Sequence, residues 1–435
     1  MSEKIEYIEM RTVDILGRLR AMIVPCKPAD TIDELQLDPA MTEGTSIDGS
    51  SVLGFASVEH SDLRLDPDPS SLVELPYTPQ RRAATMCFVH EKGGKARGQT
   101  YHPRDTRGVL HRVCKEYLSD GATLRTKVEP EFYFITEDGV PFDQGGYAET
   151  YPADPAADVL LGIASGIQKV GMRPHVAHHE AGAAQHEIEI EYDDAMKMAD
   201  NVVLFKSVAH AITRKAGFGV TFMPKPFQGG AGSGLHCHLQ LWEGGKNLFG
   251  DQSTNGLSNT AKMFAAGLLE HAPAITAVAN PTINSYKRLV PNHEAPVYVS
   301  WGPVNRTVLV RVPLFTSSQK AAIEIRSPDP TTNPYLLFSA LVAAGMDGIN
   351  RKLAPPDPTS EDVFRLTAEQ REQLGIRPLP ISLVEALDNL ANDECLMKAL
   401  GRELVDTYVD VQRREWSNYI SEAVTDWEWE HYRDS

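Results

Sequence analysis

The sequence predicts an α+β fold with more than one hydrophobic core. Three observations carry this. The chain has 435 residues, beyond the roughly 250–300 at which a single core stops growing. Apolar residues make up 42% and charged residues 23%, an ordinary globular balance. Strand-like and helix-like segments interleave irregularly, without internal repeats or low-complexity tracts.

The elements follow in order. Residues 5–26 alternate in short apolar runs around Asp14-Ile15-Leu16-Gly17, as a hairpin would. Residues 38–70 are rich in Gly, Ser, Asp and Pro and predict loops. Residues 72–90 are strand-like. The polar segment 93–107 places a boundary near residue 102, giving domains 1–102 and 103–435. Helical spacing then marks 106–120, with Val109, Leu110, Val113, Tyr117 and Leu118 on one face. Further helices are expected at 155–170, 195–216, 257–278 and 334–352. Strands are expected at 188–192, 220–222, 235–242, 308–312 and 321–325, and a mostly helical tail beyond about residue 360.

The net charge is −17. So acidic a chain is a poor partner for nucleic acid or an anionic membrane. An anionic substrate would need a local cluster of Arg or metal. The five cysteines (Cys26, Cys87, Cys114, Cys237 and Cys395) are scattered and form no Cys-x-x-Cys, which favours a reducing compartment. No signal-peptide pattern opens the chain, and no apolar stretch approaches the ~20 residues of a membrane helix. A soluble, cytoplasmic protein is expected.

Lys127-Val128-Glu129-Pro130-Glu131-Phe132-Tyr133-Phe134 reads as a buried strand carrying two carboxylates. Side chains at i and i+2 share a face, with Cα atoms about 6.5–7 Å apart. Two carboxylates aimed together beside aromatic residues repel and resist desolvation, and a cation is the simplest compensation. Further ligand types follow in His178-His179-Glu180, Gln185-His186-Glu187, His236 and His238, and Glu324. The glycines of Gly229-Gly230-Ala231-Gly232-Ser233-Gly234 permit close backbone approach to a ligand. They form neither a Walker A motif nor a dinucleotide fingerprint. Arg288, Arg306, Arg311 and Arg326 read as an anion-binding set in an acidic chain.

In this order the motifs resemble the glutamine synthetase family. They are Asp48-Gly-Ser-Ser, Glu129-Pro-Glu131-Phe, His178-His179-Glu180 with Gln185-His186-Glu187, Phe222-Met-Pro-Lys-Pro, Gly232-Ser-Gly-Leu-His236, Asn280 to Pro291, Glu294-Ala-Pro, Asn305-Arg306 and Glu324-Ile-Arg326-Ser-Pro-Asp-Pro. The tail resembles the bacterial and archaeal short-chain type. The resemblance implies an N-terminal β-grasp domain, a catalytic domain with an antiparallel sheet surrounded by helices, and ATP-dependent ligation of glutamate to ammonia through γ-glutamyl phosphate. It implies two divalent cations, Mg²⁺ or Mn²⁺. One is assigned to Glu131, Glu180 and Glu187, the other to Glu129, His236 and Glu324. Gly232, Arg288 and Arg326 are assigned to substrate. His238, Tyr192, Arg306 and Arg311 are assigned to the nucleotide, with His238 beside adenine. Asp48 would bind ammonium and take its proton, Arg306 would act in phosphoryl transfer, and Glu294 would close the site. A homo-oligomer, usually a dodecamer, with active sites between subunits is implied.

The chain departs from the family pattern at Ala231, Ala322, His175 and Asn292-His293. These substrate-side changes leave room for a γ-glutamyl ligase that takes a primary amine such as methylamine, ethanolamine or a polyamine. Retention of all six assigned metal ligands argues against a catalytically silent relative. Phe364 stands where some bacterial members carry a modifiable Tyr, and it offers no hydroxyl for adenylylation.

Overall fold

The structure is a computed structural model that describes residues 4–58, 61–91, 101–251, 253–254, 256–291, 293 and 295–435. The chain begins with the predicted hairpin: strands β1 (Ile5–Val13) and β2 (Leu19–Ala29) pair antiparallel. Asp14 shapes the turn, its Oδ1 accepting from the backbone N–H groups of Leu16 and Arg18. Strands β3 (Thr45–Asp48), β4 (Asp62–Pro67), β5 (Val73–Glu74) and β6 (Ala83–Glu91) complete the first sheet. Its order is β2-β1-β6-β4-β3, with β5 on β6. β1 and β6 run parallel. Strands β3 and β4 lie inside the expected loop region; their short alternating runs are masked in the sequence by Gly, Ser, Asp and Pro.

The second sheet is larger. It contains β7 (Ala122–Ile135), β8 (Pro174–His179), β9 (Gln185–Asp194), β10 (Gly219–Thr221), β11 (Leu235–Glu243), β12 (Lys246–Asn247), β13 (Trp301–Pro303), β14 (Val310–Val312) and β15 (Ile323–Ile325). The order is β13-β14-β15-β11-β7-β9-β8, with β10 on β7 and β12 on β11. Helices cover one face. Helix Ala195–Ala216 occupies the predicted span, begun by the Asp194 cap on Lys197 N–H and stopped by Gly217 at φ 90°. The left-handed conformation there favours glycine. The predicted helix at 257–278 is two helices, Asn259–Glu270 and Ala272–Ala279, broken at His271. Pro273 explains the break: it has no N–H to continue the ladder.

Asn333 begins helix Pro334–Asn350, its side chain capping Tyr335 N–H. A charged core network ties that helix to the first sheet. Arg107 binds Asp200 through Nε (3.0 Å) and a terminal nitrogen (2.9 Å) and reaches Asp68 at 2.8 Å. Tyr335 donates to Asp200 at 2.6 Å. Residues 93–100 of the segment predicted to divide the domains, with residue 92, lie outside the described residues.

Candidate active site

β7 sorts its side chains by alternation. Val128, Phe132 and Phe134 turn inward and are fully buried. Phe132 packs against Phe205 and Phe222, with ring centroids 5.8 and 5.7 Å away. The aromatic run that flanks the two glutamates is therefore core. Glu129 and Glu131 occupy the opposite face.

Register carries the acidic row across the sheet. Glu131 faces Glu187 on β9, and Glu187 faces His178 on β8. Glu129 faces His236 on β11. His238 faces Glu324 on β15, which faces Arg311 on β14. Directly opposed residues of antiparallel strands share a face. Five strands thus deliver one line of carboxylates and imidazoles. The line borders a cavity of about 250 Å³ lined by all six predicted metal ligands together with Gly232, Arg288, Arg306, Arg311 and Arg326.

The charges are strongly interdependent. Burial drives the Glu187 carboxyl well above the usual range, and the charges of Glu129, Glu131, Glu180 and Glu189 add to the effect. Burial also raises Glu131, with Glu180 adding and His236 and Arg288 opposing. Glu129 goes the other way: burial works to raise it, but the imidazoles of His236 and His238 outweigh that and lower it. Glu180 is lowered against burial by His178, whose Nε2 lies 2.8 Å from its Oε1. Glu324 is lowered against burial by His238, Arg326, His236 and Arg311; Arg311 and Arg326 contact it at 2.6 and 3.1 Å.

Glycines make the substrate side. A Cβ at Gly232 would sit 2.6 Å from Arg288 Cγ. A Cβ at Gly234 would sit 2.8 Å from both Arg288 and His236 Nε2. The loop lacks side chains there because the Arg288 stem and the His236 ring pass against its backbone. Arg288 is buried, donating to the carbonyls of Ser327 (2.6 Å) and Arg326 (3.2 Å). Gly234 N–H donates to Glu131 at 2.8 Å, and Gln185 bridges Glu131 and the Gly232 carbonyl at 3.0 Å each.

The donor grouping differs from the pairing expected from the sequence. Ligating atoms converge as Glu129, His238 and Glu324; as Glu129, Glu187 and His236; and as His178, Glu180 and Glu187. Glu131 joins none of these triads; its Oε2 accepts from Gln185 and Gly234 N–H, and its Oε1 lies 3.7 Å from His236 Nε2. His238, expected beside adenine, is placed by register opposite Glu324, and its Nε2 comes within 2.8 Å of Glu129 without aligning as a hydrogen bond. Asp48 lies at the end of β3 and is not among the described lining residues. Its carboxylate accepts from Ser50 N–H (2.9 Å) and the Ser50 and Ser51 hydroxyls (2.7 and 3.0 Å). Those bonds, the Ser50 hydroxyl first, lower its pKa. Tyr192 lies on β9, where burial and then the Glu129 charge raise its phenol. Glu294 and Asn292 lie outside the described residues.

His175 pairs with Glu191 at 2.8 Å, and His293 lines the cavity. The cavity also recruits Tyr147, Gln185 and Glu189, which have no role in the sequence-based assignment, and His178, which that assignment names as a ligand type but gives to neither cation. Glu189 was legible as i+2 from Glu187 on a strand, and His178 as i−2 from Glu180. Tyr147, in a loop, gave no such signal.

The site fits divalent cations. His238 Nε2 is a buried nitrogen without a hydrogen-bond partner, and Glu187 is crowded by four other carboxylates. Carboxylates with an imidazole suit Mg²⁺ or Mn²⁺.

The family described as "Glutamine synthetase, beta-Grasp domain" matches residues 4–92, and that described as "Glutamine synthetase, catalytic domain" matches 103–432. A glutamine synthetase of Pyrococcus abyssi is 41% identical over 98% of this chain and 96% of its own. One of Methanocaldococcus jannaschii is 39% identical over 98% and 94%. A solved structure titled as a GmaS/ADP complex superposes with a TM-score of 0.87 at 32% identity, covering 99% of this chain and 97% of that one.

Proposed function

The chain belongs to the glutamine synthetase family, and from that premise we propose that it joins glutamate to ammonia at the expense of ATP, forming glutamine, ADP and phosphate. The observation that carries this is one cavity in which six ligand-type side chains face four arginines. ATP and glutamate are both anions and repel each other. The arginines and the cation-binding row offset that repulsion at one place.

The family uses divalent metals and ATP. We assign Glu129, His236 and Glu324 to one cation and Glu131, Glu180 and Glu187 to the other, with His178 beside Glu180 and His238, assigned to the nucleotide, beside Glu129. When bound, the cations neutralise charge on the phosphates and the acyl oxygens. Mg²⁺ or Mn²⁺ is the metal this donor set favours.

Arg288 and Arg326 hold the carboxylates of glutamate. A γ-carboxylate oxygen attacks the terminal phosphorus of ATP, and ADP leaves. Arg306 and Arg311 lie against the phosphoryl oxygens while charge shifts between them. Ammonia nitrogen then attacks the acyl carbon, phosphate leaves, and a carboxylate takes the surplus proton. We assign that proton to Asp48 of a neighbouring copy. Its exposure and its lowered pKa, set by the Ser50 and Ser51 bonds, suit an anionic ammonium site offered outward. We assign to Glu294, which lies outside the described residues, the exclusion of water, which would hydrolyse the acyl phosphate. Gly232 gives the substrate backbone access, and Tyr192 borders the nucleotide. This arrangement requires a homo-oligomer, and a dodecamer is the form proposed. Residues 1–102 and 103–435 are the two units proposed.

No helix among the described residues is long and apolar enough to cross a membrane. The five cysteines are free, which supports a reducing, cytoplasmic setting.

A primary amine in place of ammonia is the second reading. Ala231 and Ala322 carry only methyl groups where the family pattern has longer polar side chains, and His293 lines the cavity. Phosphate release with glutamate, ATP and Mg²⁺ against ammonia, methylamine, ethanolamine and putrescine separates the two. Ammonia is expected to give the highest turnover. Turnover with an alkylamine and negligible turnover with ammonia would overturn the first reading.

A further inference from the structure

Away from the cavity, nitrogen, oxygen and sulfur donors meet where three helices join. His271 links helices Asn259–Glu270 and Ala272–Ala279. Asp393 caps helix Glu394–Leu400, and Cys395 stands in its first turn. A ring nitrogen of His271, a carboxylate oxygen of Asp393 and Cys395 Sγ all lie within 4.8 Å of one another.

Each donor is held. Asp393 Oδ1 accepts from Leu396 N–H at 2.9 Å, which leaves Oδ2 aimed at His271 Nδ1, 2.6 Å away. The imidazole is 7% exposed. Its other nitrogen meets Asp347 Oδ2 at 3.0 Å, and Arg351 holds that carboxylate at 2.8 Å. A carboxylate behind the far nitrogen is the arrangement that orients a metal-ligating histidine. An ion pair explains His271 with its two aspartates. It does not require a thiol beside the ring: Cys395 has no disulfide partner, and its Sγ makes a long contact, donating to the Ala343 carbonyl at 3.8 Å.

We propose that His271, Asp393 and Cys395 bind a thiophilic divalent cation of the zinc class, with Asp347 as the positioning residue for the imidazole. Imidazole nitrogen, thiolate and carboxylate match the donor preference of such ions. The cation takes the place of the proton between His271 Nδ1 and Asp393 and of the Cys395 thiol proton; both protons pass to solvent. Three protein donors leave a fourth position for water. The bound ion cross-links helix Glu394–Leu400 to the junction at His271, and Asp347 extends the connection to helix Pro334–Asn350.

The experiment is a titration of the full-length, metal-stripped protein with Co²⁺. Cobalt bound to a thiolate gives a near-ultraviolet charge-transfer band, and the carboxylate–imidazole row supplies no sulfur. Cys237 lies on β11 but points to the fully buried face away from the row. The wild type is expected to develop the band to one equivalent, and Zn²⁺ to bleach it. Cys395→Ser should abolish the band with ligase activity unchanged. Asp347→Asn should weaken binding by about 10-fold. Zn²⁺ should raise the melting temperature of the wild type more than that of Cys395→Ser, in which only the carboxylate–imidazole row remains to bind it. No band in the wild type, a band that persists in Cys395→Ser, or an equal zinc-induced stabilisation of both proteins would overturn the proposal.

Discussion

Glu131 and Glu187 stand directly opposite each other on neighbouring antiparallel strands, both nearly buried. Like charges so placed destabilise a sheet. Burial and surrounding carboxylates push the Glu187 pKa upward, so the metal-free fold carries electrostatic strain that a cation relieves. Glu187→Gln should therefore keep or raise the melting temperature of the metal-free protein. The same change should lower ligase activity by several kcal/mol of lost charge stabilisation, on the order of 10²-fold or more. Thermal unfolding in chelator and a phosphate-release assay check both halves.

Gly234→Ala tests the cradle. The added methyl would meet Arg288 and His236 Nε2 at 2.8 Å, displacing a substrate arginine and a ligand together. KM for glutamate is expected to rise by about 10-fold or more, a loss of roughly 1.4 kcal/mol in binding. The far-ultraviolet circular dichroism should stay unchanged.

Arg107→Ala tests the network between the first sheet and the helices. It leaves Asp200 buried without its cation and removes a guanidinium stacked 4.3 Å over Phe88. Breaking a buried pair by removing one partner costs about 3–5 kcal/mol. Urea midpoints of the two proteins measure it.

His102 sets an acid limit. Burial, and then the Arg104 charge, lower its pKa from 6.5 to about 4. Folding thus favours neutral imidazole. Its contribution is fully present above 6.5, and it is lost as pH falls through about 4. The loss is on the order of 3 kcal/mol. Melting temperatures of the wild type and His102→Gln across that window should converge as the pH falls.

Much of this was legible in the chain itself. Helix Ala195–Ala216 was read to its ends, because the Asp194 and Gly217 caps bracket an apolar stripe. The paired carboxylates Glu129 and Glu131 were legible because period-two alternation beside Phe132 and Phe134 forces them onto one face. What alternation cannot give is register. Which imidazole meets which carboxylate depends on how β11 slides against β7 and β15, a register that sets His238 opposite Glu324 and His236 opposite Glu129. β3 and β4 were hidden for a related reason: short strands gain their stability from cross-strand neighbours distant in sequence.

The most direct test of the account is the binding of Mn²⁺ by electron paramagnetic resonance, with Cys395→Ser as the reference protein so that the row is measured alone. The account predicts two manganese ions per chain, close enough to broaden each other's signals, with at least one lost in Glu129→Gln. No stoichiometric manganese, or the same two ions bound in Glu129→Gln, would contradict it.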